Sequence, residues 1–243
     1  MTGTTPSENK ILVTGAASGL GKYIASHIDC VAMTRDNAEE IFNRYKHSRF
    51  DLIIHCAFNS SKKVNNYYKI LEDNIFLTKR LVSLSHTKFV FLSSIDVYRE
   101  EDSIYKTTKL MAESIVGKEA SNALILRASA IVGPAMRKNS LVKIIEDKNP
   151  KISLSKNSTF NYVLQSDILS MIQISAKNNY SGILDFVASE NVRLEDIANY
   201  FNKQVDFGEY TYETPSISNR TLQAKFPPAW YTSLGNIQRF LKE

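Results

Sequence analysis

KILVTGAASGLGKYIA, residues Lys10 to Ala25, is the stretch whose reading decides the fold. It opens on an apolar run, Ile11-Leu12-Val13, that reads as a buried strand. It then turns through Thr14-Gly15-Ala16-Ala17-Ser18-Gly19-Leu20-Gly21 into a segment of helical spacing. Gly15 permits a tight turn that a Cβ would obstruct. Gly19 would let a pyrophosphate approach the backbone, and Gly21 would let the helix pack close to the strand. The helix N-terminus would offer N–H groups and a positive dipole end to phosphates. An ordinary glycine-rich turn is the rival reading. The strand before, the helix after and the place near the chain start favour the phosphate-binding one.

Outward from that turn, strands and helices alternate. Cys30 to Met33 reads as a second strand, followed by a helix capped by Asp36 or Asn37 and running to about His47. Its packing face is Ala38, Ile41, Phe42 and Tyr45. Asp51 to Ala57 is the next strand. One short helix alone fits between these two strands, so a βα unit is expected to be missing or vestigial here. Lys62 to Ser85 reads as one long helix packing through Leu71, Ile75, Leu77, Leu81 and Leu84. Phe89 to Ser94 is a strand, Ser103 to Gly117 a helix and Asn122 to Ala128 a strand, before Gly133-Pro134 breaks the chain. This alternation implies a parallel sheet covered on both faces. Beyond Ala135, helices (Leu141 to Asp147, Ser166 to Lys177, Leu194 to Asn202) alternate with short strands (Ile152 to Leu154, Ile183 to Val187). A closing helix is expected over Trp230 to Lys242, packed by Trp230, Phe226, Tyr231 and Phe240. The expected division is residues 1–134 and a smaller lobe over 135–243.

Composition excludes several classes. A chain of 243 residues with 43% hydrophobic content has a sizeable core. The net charge of +5 comes from scattered lysines, with no dense basic block interleaved with aromatics, which argues against nucleic-acid binding. The same charge suits anionic small molecules. Cys30 and Cys56 sit in apolar runs without metal-type spacing and read as buried, reduced thiols. His27, His47, His55 and His86 show no ligand spacing either, and His55 reads as a packed core histidine, so no metal is expected. MTGTTPSENK lacks an apolar core of signal-peptide length, and no run reaches the length of a membrane span. The expectation is a cytoplasmic protein without a membrane partner.

Two further groups carry chemistry. Ser93-Ser94-Ile95-Asp96-Val97-Tyr98 follows a strand, and ligands of open α/β sheets bind at the carboxyl ends of strands. Tyr105 and Lys109 are one helical turn apart on one face. An ammonium beside a phenol stabilises the phenolate, so such a tyrosine can pass a proton to or from a carbonyl oxygen. Ser94 can hydrogen-bond the same oxygen. That makes a hydride-transfer site in which a nicotinamide cofactor carries the redox chemistry. A lone Tyr-x-x-x-Lys pair among 12 tyrosines would be a surface accident; the order of turn, serine and pair argues otherwise.

In these residues the chain resembles the short-chain dehydrogenase/reductase superfamily, most closely its extended branch of nucleotide-sugar epimerases, dehydratases and reductases. The resemblance rests on Gly15/Gly19/Gly21, Asp51 to Ala57, Asn74, Ser94 to Tyr98, Tyr105/Lys109 and Leu126-Arg127 through Gly133-Pro134. Weaker echoes are Asn161 to Asp167 and Gly182 to Phe186. It implies an α/β Rossmann-type doubly wound parallel sheet with a small C-terminal α/β substrate lobe. It implies Ser94, Tyr105 and Lys109 as catalytic residues. Gly15, Ser18, Gly19, Leu20, Gly21, Thr34, Arg35, Ala57, Asn74, Tyr105 and Lys109 are the implied cofactor contacts. Departures from the pattern are the TGxxxGxG spacing, the ten residues between Ser94 and Tyr105, and Ala130 where many relatives have asparagine.

Asp96 is a candidate base, where dehydratases often carry Glu; the rival reading has it in a local turn or facing solvent. Thr34-Arg35 stands where NAD enzymes usually place an acidic residue, and an arginine there can bind the 2′-phosphate of NADP. NADP(H) is therefore the expected cofactor, with NAD(H) as the other candidate. The leading expectation is an NADP(H)-dependent reductase of a keto group on a nucleotide-linked keto-deoxysugar. An NAD-retaining epimerase or dehydratase and a non-catalytic nucleotide-sensing protein are the alternatives. Relatives commonly dimerise through the helices matching Lys62 to Ser85 and Ser103 to Gly117, which implies a homodimer. Arg220 and Lys225 could meet a substrate diphosphate.

Overall fold

The computed structural model describes residues 10–60 and 67–242. The first half runs β1 (Ile11–Thr14), α1 (Gly19–Ala25), β2 (Val31–Met33), α2 (Ala38–Arg44) and β3 (Phe50–His55). Then come α3 (Tyr67–Leu71), a π-helical turn (Glu72–Phe76), α4 (Leu77–Val82), β4 (His86–Ser94), a 3-10 turn (Ile95–Tyr98), α5 (Ile104–Glu119) and β5 (Ala123–Ala128). The second half runs β6 (Ala130–Val132), α6 (Ser140–Glu146), β7 (Lys151–Leu154), β8 (Thr159–Phe160), β9 (Tyr162–Leu164), α7 (Gln165–Asn178) and β10 (Gly182–Phe186). It ends with β11 (Val192–Arg193), α8 (Leu194–Tyr200), β12 (Asp206–Tyr210), α9 (Arg220–Gln223) and α10 (Ser233–Phe240).

The α/β class is as expected. Six strands form one sheet in the order β10-β5-β4-β3-β1-β2. β1 pairs in parallel with β2 and β3, and β3 with β4. Parallel pairing demands crossover connections, and the helices between these strands supply them. α2 alone connects β2 to β3, and β2 is the last strand on its side of the sheet. The missing βα unit is thus an edge that stops one strand early.

The chain divides into two compact units, residues 1–127 with 169–184, and residues 128–168 with 185–243. The first has a core of Leu12, Phe50, Ile53, Ile75, Leu81, Phe89, Phe91 and their neighbours. All five packing residues expected on the long helix pack there, Ile75, Leu81 and Leu84 buried and Leu71 and Leu77 partly so. Ala38, Ile41, Phe42 and Tyr45 do the same for α2. The second unit has its own core of Val132, Leu141, Ile144, Tyr162, Leu164, Leu194 and Ile237. Three two-strand sheets complete the pairing: β8 with β11, β7 with β12, and β6 with β9.

Four expectations need correction. The long helix is not one regular α-helix: a π-helical turn interrupts it at Glu72–Phe76, and its expected first residues, 62–66, lie outside the described residues. The closing helix does not run unbroken from Trp230. A 3-10 turn spans Pro227–Trp230, and the Thr232 hydroxyl then accepts from Gly235 N and starts α10 afresh. Trp230, expected to pack that helix, is 68% exposed. Cys30 and Cys56, expected buried, are free thiols that are only partly buried.

Gly15 lies at φ +73°, and a Cβ there would come within 2.9 Å of the Ala57 nitrogen. A Cβ on Gly21 would come within 2.5 Å of the Gly15 carbonyl oxygen and 2.7 Å of that of Thr14. The obstacle in both cases is backbone, which has no rotamer to yield. Gly21→Ala should therefore lower the unfolding free energy by about 1–3 kcal/mol. Gly117, exposed on α5, has nothing within 4 Å of its would-be Cβ, so Gly117→Ala should raise it by about 0.5–1 kcal/mol. Urea unfolding of the two variants checks both signs.

Candidate active site

The carboxyl ends of β1 and β3 are joined to the start of α4 by a chain of buried hydrogen bonds. Thr14 Oγ1 accepts from Ala57 N (3.1 Å) and pairs with His55 Nδ1 (2.8 Å). His55 Nε2 pairs with Thr78 Oγ1 (2.9 Å), which itself donates to the Asn74 carbonyl (2.5 Å). That donation leaves Thr78 to accept from His55, which assigns the proton to Nε2 and makes Nδ1 the acceptor for Thr14. Burial, with the Lys109 charge, lowers the His55 pKa to about 3, so the ring stays neutral. The reading of His55 as a packed core histidine holds, with both nitrogens used.

Asn74 sits in the π-helical turn, fully buried. Its Oδ1 accepts from Asn59 N (2.6 Å), and its Nδ2 donates to Asn59 O (3.0 Å) and Thr108 Oγ1 (3.2 Å). Expected as a cofactor contact, it braces the segment after β3 and the first turns of α5. Wider turns of this kind recur at functional sites because they re-aim side chains within a helix.

The glycine turn joins β1 to α1, with Ser18 at the N-cap position and Leu20 partly buried in the first turn. Ala57 lies against Gly15. Gly19 is at φ +58° with nothing within 4 Å of its would-be Cβ. The turn thus presents open backbone where a pyrophosphate would have to approach, and it fits a dinucleotide. At the end of β2, Thr34 is turned into its own loop, its N and Oγ1 both donating to Asn37 Oδ1 (2.8 and 3.3 Å). Arg35 reaches Asp73 Oδ2 at 3.0 Å.

Ser94 ends β4 in extended conformation, and its Oγ accepts from Asp96 N at 3.2 Å. That contact occupies a lone pair and leaves the hydroxyl proton for an outside acceptor. Asp96 lies in the first turn of the short helix so capped and is partly buried, which fits the local-turn reading. Tyr105 and Lys109 both lie on α5. Lys109 is buried, donates to the Leu92 carbonyl at 2.5 Å, and stands 3.7 Å from the centroid of the Phe58 ring and 5.9 Å from that of Tyr105. Phe58 meets the Tyr105 ring edge to face at 5.7 Å.

A second network locks the same strand end. Ser93 Oγ donates to Glu113 Oε1 (2.5 Å), and Arg127 grips that carboxylate with Nε (3.0 Å) and Nη2 (2.6 Å). Arg127 Nη1 also donates to the Tyr98 hydroxyl (2.5 Å). The Glu113 contact holds the guanidinium pKa above its already high ordinary value. Sequence reasoning missed Phe58, Glu113 and the Thr14–His55–Thr78 chain as site components. The position of Glu113 one turn beyond Lys109 was the available signal. Among the described residues no group of three or more potential metal ligands clusters, and no helix is long and apolar enough to cross a membrane.

The model of the NAD dependent epimerase/dehydratase family matches residues 11–157. Among solved structures, MoeE5 in complex with UDP-glucose and NAD superposes with a TM-score of 0.75 at 18% identity, over 95% of this chain and 97% of that one. A dTDP-4-dehydrorhamnose reductase from Clostridium acetobutylicum gives 0.76 at 16% identity, over 96% and 98%. A dTDP-glucose 4,6-dehydratase from Bacillus anthracis in complex with NAD gives 0.72 at 13%, over 97% of each. At these identities the likeness establishes the fold. Comparison with curated protein sequences finds no match.

Burial lowers the Lys109 pKa to about 7, offset in part by Cys56 and Glu113. Between pH 7 and 10.5 the unfolded chain then carries a proton on this lysine that the folded chain lacks, so folded stability rises with pH across that window and is flat below it. The difference in unfolding free energy between wild type and Lys109→Met should rise by about 2 kcal/mol from pH 7 to pH 9. A pH series of urea titrations on both proteins reads it.

Proposed function

The chain belongs to the NAD dependent epimerase/dehydratase family, and we propose that it is a nicotinamide-dependent enzyme that reduces a keto group on a nucleotide-linked sugar. The observation that carries this is the convergence on one sheet edge of the open glycine turn, Ser94 at the end of β4, and the Tyr105–Lys109 pair on α5. The substrate class is supported by relatives of the same fold whose structures hold UDP-glucose or are dTDP-sugar enzymes.

A bound nicotinamide would supply the hydride. The chain's own residues handle the oxygen. The Ser94 hydroxyl donates to the carbonyl oxygen and polarises it. The Tyr105 phenol gives its proton to that oxygen as negative charge develops there. The Lys109 ammonium stabilises the phenolate left behind. The C=O becomes CH–OH, the hydrogen on carbon coming from the cofactor and the one on oxygen from Tyr105. The glycine turn, with Ser18, Leu20 and Ala57, holds the dinucleotide. The exposed Tyr67, Tyr68, Phe76, Leu110 and Met111 give α3, the π-helical turn and α5 an apolar surface suited to a homodimer.

A second reading is an enzyme that keeps its NAD through an epimerase or dehydratase cycle. It is favoured by the pairing of Arg35 with Asp73, which occupies the group expected to select NADP.

Tyr105→Phe removes the proton donor and little else. Turnover of UDP- and dTDP-linked keto sugars, followed by nicotinamide absorbance, should fall by about 10²-fold or more. Dinucleotide affinity, read by fluorescence titration, should stay within threefold (roughly) of wild type, since the ring and its Phe58 contact remain. Normal turnover in this variant would overturn the assignment.

A further inference from the structure

β2, β1 and β3 are neighbours in the sheet, so their carboxyl ends lie side by side at the edge where the glycine turn opens. Arg35 follows β2 and Asn59 follows β3, while Asp73 sits on the π-helical turn. Asp73 draws these segments together. Its Oδ2 accepts from Arg35 Nη2 at 3.0 Å and from Asn59 Nδ2 at 2.9 Å, and its Oδ1 lies 3.2 Å from Lys69 Nζ. Lys69 is shared with Glu72 at 3.4 Å. The carboxylate is the fixed member, its side chain only 14% exposed against 72% for Arg35.

We propose that Asp73 decides between NAD(H) and NADP(H): by holding Arg35 it cancels the charge that a 2′-phosphate would need, and the site takes NAD(H). This rests on the reading above that the site takes a dinucleotide.

Arg35 and Lys69 are balanced by Asp73 and Glu72, so the cluster has no formal net charge, and Asp36 adds a carboxylate next to Arg35. A 2′-phosphate carries up to two negative charges. To be gripped by Arg35 it must share the guanidinium with a carboxylate that three donors keep in place. A ribose hydroxyl has no charge and meets no such penalty. The ion pair itself is weak, being exposed on its arginine side. Its effect on a phosphate is not, because the carboxylate stays beside the group that would bind it. Freeing the Arg35 guanidinium from that carboxylate lets it make a charge-assisted contact with the phosphate instead, and should favour NADPH by about tenfold. Arg35 alone, read from the sequence, points the other way, and Asp73, 38 residues further on, reverses it.

The test is direct titration of the cofactor-stripped protein with NADH and NADPH, read by nicotinamide fluorescence and calorimetry. Wild type should bind NADH more tightly than NADPH. Asp73→Asn keeps an acceptor for Asn59 but removes the charge, and should move the NADPH-to-NADH affinity ratio about tenfold toward NADPH. Asp73→Ala should move it in the same direction, which covers a failure of the first variant to fold. The gain should vanish when Arg35→Ala is added, which separates release of Arg35 from release of Lys69. A wild type that prefers NADPH, an unmoved ratio in both Asp73 variants, or a gain that survives loss of Arg35 would each overturn the proposal while leaving the dinucleotide reading intact. Binding of neither dinucleotide would overturn that reading, and this proposal with it.

Discussion

A neutral imidazole buried between two threonines is the contact on which the site's geometry depends. His55 links Thr14, the last residue of β1, to Thr78 on α4, and Thr78 passes the connection to the Asn74 carbonyl. Asn74 then reaches Thr108, which lies between Tyr105 and Lys109 on α5. The glycine turn and the Tyr-Lys helix are thereby held in one frame of direct hydrogen bonds. The donor and acceptor directions run consistently along the chain with a neutral His55 that carries its proton on Nε2. Burial and the Lys109 charge keep the ring in that neutral form.

Two cations beside this frame, Lys109 buried and Arg127 partly so, are treated in opposite ways. Arg127 is clamped by both oxygens of Glu113, and its charge is fixed. Among the described residues Lys109 touches no carboxylate; it has a carbonyl and the faces of Phe58 and Phe91. Aromatic faces and one carbonyl offset only part of the cost of burying an ammonium. Its proton is consequently held loosely near neutral pH. That difference suits the two roles: an arginine that holds a strand end still, and a lysine whose charge responds to what binds beside it.

How much of this was legible in the sequence depended on distance along the chain. The glycine turn, strands β1 to β5, β7 and β10 and the Tyr105–Lys109 spacing are local patterns, and each appears where the residues predict it. The same is true of Ile75, Leu81 and Leu84, whose helical period survives the π-helical turn. What the sequence did not disclose depends on partners far away. Arg35 and Asp73 are 38 residues apart, Thr14 and His55 41. The two- and three-residue strands β6, β8, β9 and β11 have too few positions to show a period, and pairing alone defines them. Trp230 misled for another reason. Its neighbours Phe226 and Ala229 are buried, but Pro227 and Pro228 impose a 3-10 turn that carries Trp230 outward.

The serine pair at the end of β4 shows how the rigid part of the site is built. Successive side chains of a strand point to opposite faces. Ser93 is tied inward to Glu113, and through it to Arg127 and Tyr98. With Ser93 fixed, Ser94 has no choice of face, and the Asp96 amide sets the direction of its lone pair. Ser94 is thus positioned by a neighbour that takes no part in the chemistry. No such scaffold surrounds Arg35, whose side chain is tethered at one nitrogen and largely exposed. Ser94 and Lys109, the groups proposed to act at the carbonyl oxygen, are positioned through buried neighbours, and Arg35, the group proposed to choose among cofactors, is held by a single charge. On the proposal above, a change of cofactor preference needs one substitution, at Asp73, whereas a change of the proposed chemistry would have to pass through the buried networks of Glu113 and His55.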